Sequence, residues 1–182
     1  RTIPTNANAN AAARIYLQQT WARPNLINPP GTVPFPDPRT GDAIYSSTPA
    51  PSYFPTLEAM TDEMSAAMAS VAAFAGADGS GGITGIVPVG QAFLAAVQAG
   101  LATRDMYAPG ALTDGLIDLW FNDGTHASAW GSYLSALTLF GRITGVDPLT
   151  LGASEVAAFD LGISPQDAVL LQTVASSTLG FT

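Results

Sequence analysis

Nine of the fourteen prolines fall between Pro24 and Pro55, in the run PNLINPPGTVPFPDPRTGDAIYSSTPAPSYFP. Proline lacks a backbone N–H, and its ring clashes with the preceding turn of a helix. A stretch this dense in proline therefore contributes neither a helix interior nor a central strand. Regular structure has to come from the residues on either side, and the fold must tolerate a long connection between them. Residues 24–55 read as an ordered loop or lid that carries Phe35, Tyr45, Tyr53 and Phe54. Loops of this length inside a domain are uncommon and often functional. A surface loop held down by its own aromatics is an equally good reading of the same residues.

Outside that loop the hydrophobic pattern is clear. Arg14 to Gln19 (RIYLQQ) and Ile83 to Val89 (ITGIVPV) are short apolar runs with β-branched and aromatic residues, as buried strands have. Residues 57–75 place Leu57, Met60, Met64, Met68, Val71 and Phe74 at helical spacing, which predicts an amphipathic helix with a core-packing stripe. Thr56 is positioned to cap it, and Gly76 to end it. Strand 83–89 leads straight into a helix predicted over 91–104. Two more helices are expected, from about Ala127 to Ile143 and from Ser164 to Thr178. Gly145 closes the first, and Ser164-Pro165 opens the second. Strands alternating with helices define an α/β chain, organised as one domain or half-domain over 1–182. Two strands are too few for a parallel sheet covered on both faces.

Composition removes several function classes. The six basic residues are all arginine, against fourteen acidic ones, for a net charge of −8. No basic cluster exists for nucleic acid or for an anionic membrane surface. No apolar run is long enough for a membrane span. The chain has no cysteine, which excludes disulfides, thiol catalysis and zinc–thiolate sites. That is compatible with a secreted, periplasmic or cell-surface bacterial protein. Hydrophobic residues make up 47% and charged residues 11%, enough apolar material for a core.

One short segment carries chemistry. In FNDGTHASAWGSYL, residues 121–134, the chain's single histidine, His126, follows Asp123 by three positions across an Asp-Gly turn. A general base needs an imidazole with one nitrogen protonated and the other free. A neighbouring carboxylate fixes that tautomer and offsets the imidazolium charge that forms. The turn is able to bring the two side chains together, and the following helix would anchor it. By spacing alone, a capping aspartate or a satisfied surface histidine is the favoured reading. One histidine cannot build a metal site, and neither metal nor cofactor is expected.

The wider segment DGTHASAWGSYLSALTLFGRITGVDP resembles the last conserved block of SGNH (GDSL-type) serine hydrolases, where an Asp-x-x-His precedes a C-terminal helix. PVGQAF, IYLQQTWARP and LEAMTDEM are similar to the preceding parts of one bacterial branch, so the likeness runs from Arg14 to Pro148. The resemblance implies that His126 is the general base and Asp123 its orienter. It implies a three-layer α/β/α sandwich with a parallel sheet, of which this chain is the C-terminal half, completed by another chain. The family's nucleophile lies in a Gly-Asp-Ser type motif. None occurs here; the nearest sequence is Gly79-Ser80-Gly81. The expected partner is therefore the N-terminal half of the same fold as a separate chain, with the serine on it. A cut precursor, a fragment and a degenerate relative all fit the missing block. The retained Asp-x-x-His disfavours the last, and an initial Arg1 fits the first two. A half-sheet would also leave an open edge and apolar faces, so the chain is expected to be unstable without its partner. Trp21, Phe35, Tyr45 and Tyr53 are expected to shape the pocket for a small-molecule, glycan or lipid ester. Trp120 and Trp130 are expected to pack. The competing function is a noncatalytic structural or binding subunit of an extracellular assembly, using the aromatic loop as its contact surface.

Overall fold

Two of the apolar runs pair. Strand β1 (Tyr16–Gln18) lies parallel to a strand at Gly85–Val87, with Tyr16 opposite Gly85 and Gln18 opposite Val87. The computed structural model describes residues 13–27, 54–77 and 82–181, with the backbone of 35–36 and 43–44. In the proline-rich stretch, β2 (Phe35–Pro36) and β3 (Ala43–Ile44) form a two-residue antiparallel pair, and Pro24–Leu26 makes one 3-10 turn. Helix α1 (Leu57–Ala77) connects this region to β4 (Gly85–Val87), and α2 (Val89–Gln98) follows at once. Helices α3 (Ala129–Thr144), α4 (Val156–Asp160) and α5 (Pro165–Leu179) complete a mixed α/β architecture that has, among the described residues, a two-stranded parallel sheet and five α-helices.

The core sits where α2, α3 and α5 pack together, around the fully buried side chains of Val87, Phe93, Leu119, Leu134 and Leu171. Buried amides are tied into it. Gln172 donates to the Tyr133 hydroxyl and to the Gly152 carbonyl, both at 2.9 Å. Gln19, at the end of β1, donates to the Thr61 carbonyl and the Ser65 hydroxyl of α1. The ends of α3 and α5 follow from their sequences. Ser128 and Ser164 accept from Gly131 N–H and Asp167 N–H, and Gly145 and Gly180 close the helices with positive φ.

Three expectations need correction. Helix α2 stops at Gln98, short of 104, because Gly100 turns the chain with φ of 70° and Ala102 then bridges Ile117 in parallel. Gly76 does not end α1, which runs on to Ala77. The apolar stripe of α1 is buried only at its start, through Leu57 and Met60. Val71 and Phe74, at 51% and 75% exposure, face outward. An ion pair holds that buried start in place. Arg104 engages both oxygens of Glu58 at 2.8 and 3.1 Å, which keeps the Glu58 carboxyl down at about 2.

The docking of α3 depends on the absence of a side chain at Gly131. A Cβ there would collide with the Leu119 carbonyl oxygen and lie 2.9 Å from Cζ of Phe93. Backbone and a buried ring cannot yield as a flexible side chain does. Gly131→Ala is expected to lower stability by about 1–3 kcal/mol despite alanine's better helix propensity. Gly76→Ala, where a Cβ meets open space inside α1, is expected to raise it by about 0.5–1 kcal/mol. Urea denaturation followed by circular dichroism reads both, and equal effects would refute the close approach.

Candidate functional site

The segment that carries Asp123 and His126 is the tip of a tight hairpin. Trp120 bridges Ala127 in antiparallel fashion; Phe121 N–H donates to the His126 carbonyl at 2.7 Å, and Ser128 N–H to the Leu119 carbonyl at 3.0 Å. Gly124 makes the reversal, with φ of 65°. Ser128 joins this hairpin to α3. Its hydroxyl donates to the Asp118 carbonyl and accepts from Gly131 N–H, so the same residue ends the hairpin and caps the helix.

Within the turn, the two oxygens of Asp123 have different partners. Oδ1 accepts from the backbone N–H groups of Thr125 and His126, at 2.8 and 2.9 Å. Oδ2 meets Nδ1 of His126 at 2.5 Å. An ionised carboxylate can only accept, so the shared proton belongs on Nδ1, and in the neutral ring Nε2 is then the bare nitrogen. Burial works to raise the Asp123 pKa. The hydrogen bond from the His126 ring and those from the two amides outweigh it, and the carboxyl is held below its ordinary value. The His126 side chain is 78% exposed, and among the described residues Nε2 has no hydrogen-bond partner. The pair stands on the surface of the described residues.

The turn is held from behind by the segment after β1. Trp21 Nε1–H donates to the Thr125 carbonyl at 2.9 Å, and the Asn25 side-chain amide donates to the Thr125 hydroxyl at 2.8 Å. The Trp21 indole stacks on Phe93, with centroids 4.9 Å apart and planes 11° apart. Trp120 meets the other side of this arrangement edge-on to Phe93 and donates to the Ala22 carbonyl. Trp21 therefore acts as a strut of the turn, and Trp120 packs as its sequence context suggests. Trp130 is half-buried against the core. The start of the proline-rich segment lies beside the Asp123–His126 turn. Tyr45 and Tyr53 lie outside the described residues, and of Phe35 only the backbone is described. Asn25, Thr125 and Tyr107, whose hydroxyl lies over Gly124, are supports that sequence reasoning missed. The only local signal was the Asp-Gly pair, which marks a turn but not what packs against it.

Neither serine following the histidine is placed to react. Ser128 is committed to its cap, and Ser132 is exposed one turn along α3. Among the described residues, no group of three or more His, Asp or Glu side chains could hold a metal ion. No described helix is long and apolar enough to cross a membrane. No family model, curated protein or solved structure matches the chain.

Proposed function

We propose that this chain supplies the base and its orienter for a serine-type ester hydrolase, in which the nucleophilic serine comes from a separate chain. The observation that carries the reading is the division of labour in Asp123. One carboxylate oxygen fixes the turn, and the other fixes the imidazole with Nε2 free. A serine hydroxyl is a weak nucleophile until a base sits within about 2.6–3.2 Å of it. His126 Nε2 takes that proton as the hydroxyl attacks the ester carbonyl. It then returns it to the leaving alcohol, and water releases the acyl group by the same route. The likeness of residues 14–148 to SGNH hydrolases supports the same assignment and a three-layer sandwich for the completed fold. So does the architecture: the described parallel sheet has only two strands, and Val71 and Phe74 leave an apolar face on α1 that a second chain would cover.

In this reading Trp21 braces the turn from behind, and no cofactor takes part. The substrate is a small-molecule, glycan or lipid ester, met by a secreted, periplasmic or cell-surface protein. An uncovered α1 face would also suit a noncatalytic assembly subunit. The oriented imidazole favours the hydrolase.

A fluorophosphonate that reacts with activated serines tests this directly. The label is expected on a chain other than this one in the native preparation. Labelling of Ser128 or Ser132, or no labelled protein at all, would overturn the reading.

A further inference from the structure

We infer that Tyr107 is a positioning residue for the Asp123–His126 pair, its buried hydroxyl wedged against Gly124 so that the turn cannot sink away from the surface. The inference deepens the hydrolase reading and rests on it for the importance of the pair, but its geometry is independent of any ester.

Gly124 is the one residue of the turn with no side chain. Its bare Cα is covered by two groups from elsewhere in the chain. A Cβ at this position would collide with the Tyr107 hydroxyl, lie 3.0 Å from Cζ of the same ring and lie 3.1 Å from the Asn25 backbone nitrogen. Tyr107 is itself anchored on a turn, with its N–H donating to Asp105 Oδ1 at 3.1 Å and Ala108 N–H donating to the Asp105 carbonyl. The turn is thus gripped at its two central residues. Thr125 is tied to Trp21 and Asn25, and Gly124 rests on Tyr107, while Asp123 and His126 project outward.

The hydroxyl is costly where it is. It is buried and makes no hydrogen bond among the described residues. Burying an unpartnered polar group is unfavourable, and a phenylalanine would fill the same ring position without that cost. Burial, and then the negative charges of Asp123 and Asp105, push the Tyr107 pKa upward, which favours the neutral phenol. Local rules broken without local benefit concentrate at working sites. The benefit available here is steric. The oxygen occupies the space that a Cβ on Gly124 would take, and through the height of the turn it bears on the position of Asp123 Oδ2 relative to Nδ1.

Packing alone and positioning make opposite demands on Tyr107→Phe. If Tyr107 only fills space, losing an unpartnered hydroxyl leaves the melting temperature equal or higher and changes nothing at the pair. If it positions, the melting temperature still holds, but the imidazole is less firmly oriented. His126 is the chain's only histidine, so with this chain alone nitrogen-labelled in the native preparation its ring nitrogens are read without overlap by long-range proton–nitrogen correlation. With the ring neutral, the ratio of the Nδ1–H to the Nε2–H tautomer is expected to fall several-fold in Tyr107→Phe, with no loss of melting temperature. An unchanged ratio would overturn the inference.

Gly124→Ala gives a second reading. It is expected to lower the same ratio. Combined with Tyr107→Phe, which removes the colliding oxygen, it is expected to cost less than the two single changes added together. Strict additivity would also overturn the inference. Neither readout uses an ester. A tautomer ratio that shifts in a protein inert to the fluorophosphonate keeps the wedge and removes the hydrolase. A reactive protein whose ratio ignores Tyr107→Phe keeps the base and removes the wedge.

Discussion

His126→Ala is expected to abolish fluorophosphonate labelling of the partner serine, with the two chains still associated. Removing the base of a serine triad costs on the order of a millionfold in turnover, leaving only the contributions of binding and of the oxyanion-stabilising donors. The fold should hardly notice. The ring is 78% exposed, and the bonds that shape the turn go to backbone atoms. Asp123 Oδ1 would still accept from the amides of residues 125 and 126, and Phe121 N–H would still donate to the carbonyl of residue 126. Exposed substitutions of this kind stay within about 0.5 kcal/mol. Labelling rates, urea melts and co-sedimentation with the partner check the three parts. A labelling rate within tenfold of the parent would show that the serine has another base.

How far the sequence reveals this arrangement depends on the range of the interactions. The strands at 16–18 and 85–87 and the helices α1, α3 and α5 were legible because hydrophobic period and caps are local. Ser164 and Gly145 act within one turn of themselves. The extent of α2 was misread because Phe93, Leu94, Val97 and Leu101 keep helical spacing through Gly100, while the chain turns there and Ala102 pairs with Ile117. The short α4 escaped notice because only Glu155, accepting from the amides of Ala157 and Ala158, marks it. Periodicity also shows that α1 has an apolar face without showing what covers it. Leu57 and Met60 are buried, and Val71 and Phe74 are not.

The candidate site divides in the same way. Asp123 and His126 were legible because an Asp-Gly turn brings residues three apart together. Their supports were not. Trp21 and Asn25 reach Thr125 across about a hundred residues, and no pattern along the chain encodes that meeting. Trp21 was singled out for its bulk beside the loop. Its indole N–H instead serves the turn, and its face is spent on Phe93. Aromatic side chains have a polar handle as well as area, and only tertiary structure decides which is used.

Asp123→Asn is expected to slow labelling of the partner by about 10²- to 10⁴-fold while leaving the turn intact, because it changes one oxygen's role and keeps the other. Asparagine has the same shape. Its carbonyl oxygen can remain at the Oδ1 position and accept from the amides of Thr125 and His126. The amide nitrogen then occupies the place of Oδ2, and it donates where the carboxylate accepted. Nδ1 must become the acceptor, so the ring proton moves to Nε2, the atom that has to be bare. The imidazolium formed in the reaction also loses its counter-charge. Asp123 has a depressed pKa in the folded chain. Its ionised form, with the stability the pair adds, is therefore present above the ordinary value of 3.8 and lost as pH falls through the lower folded value. Raising the pH cannot restore the asparagine variant, since no titration returns the missing charge. Asp123→Ala is expected to do more harm to the fold, because the two amides of the turn lose their acceptor as well. The decisive comparison is the double variant. If the carboxylate acts only through the ring, Asp123→Asn added to His126→Ala slows labelling no further than His126→Ala alone. Multiplying losses would mean that Asp123 acts on the reaction by a route that bypasses the imidazole, and the pairing proposed for this turn would be wrong.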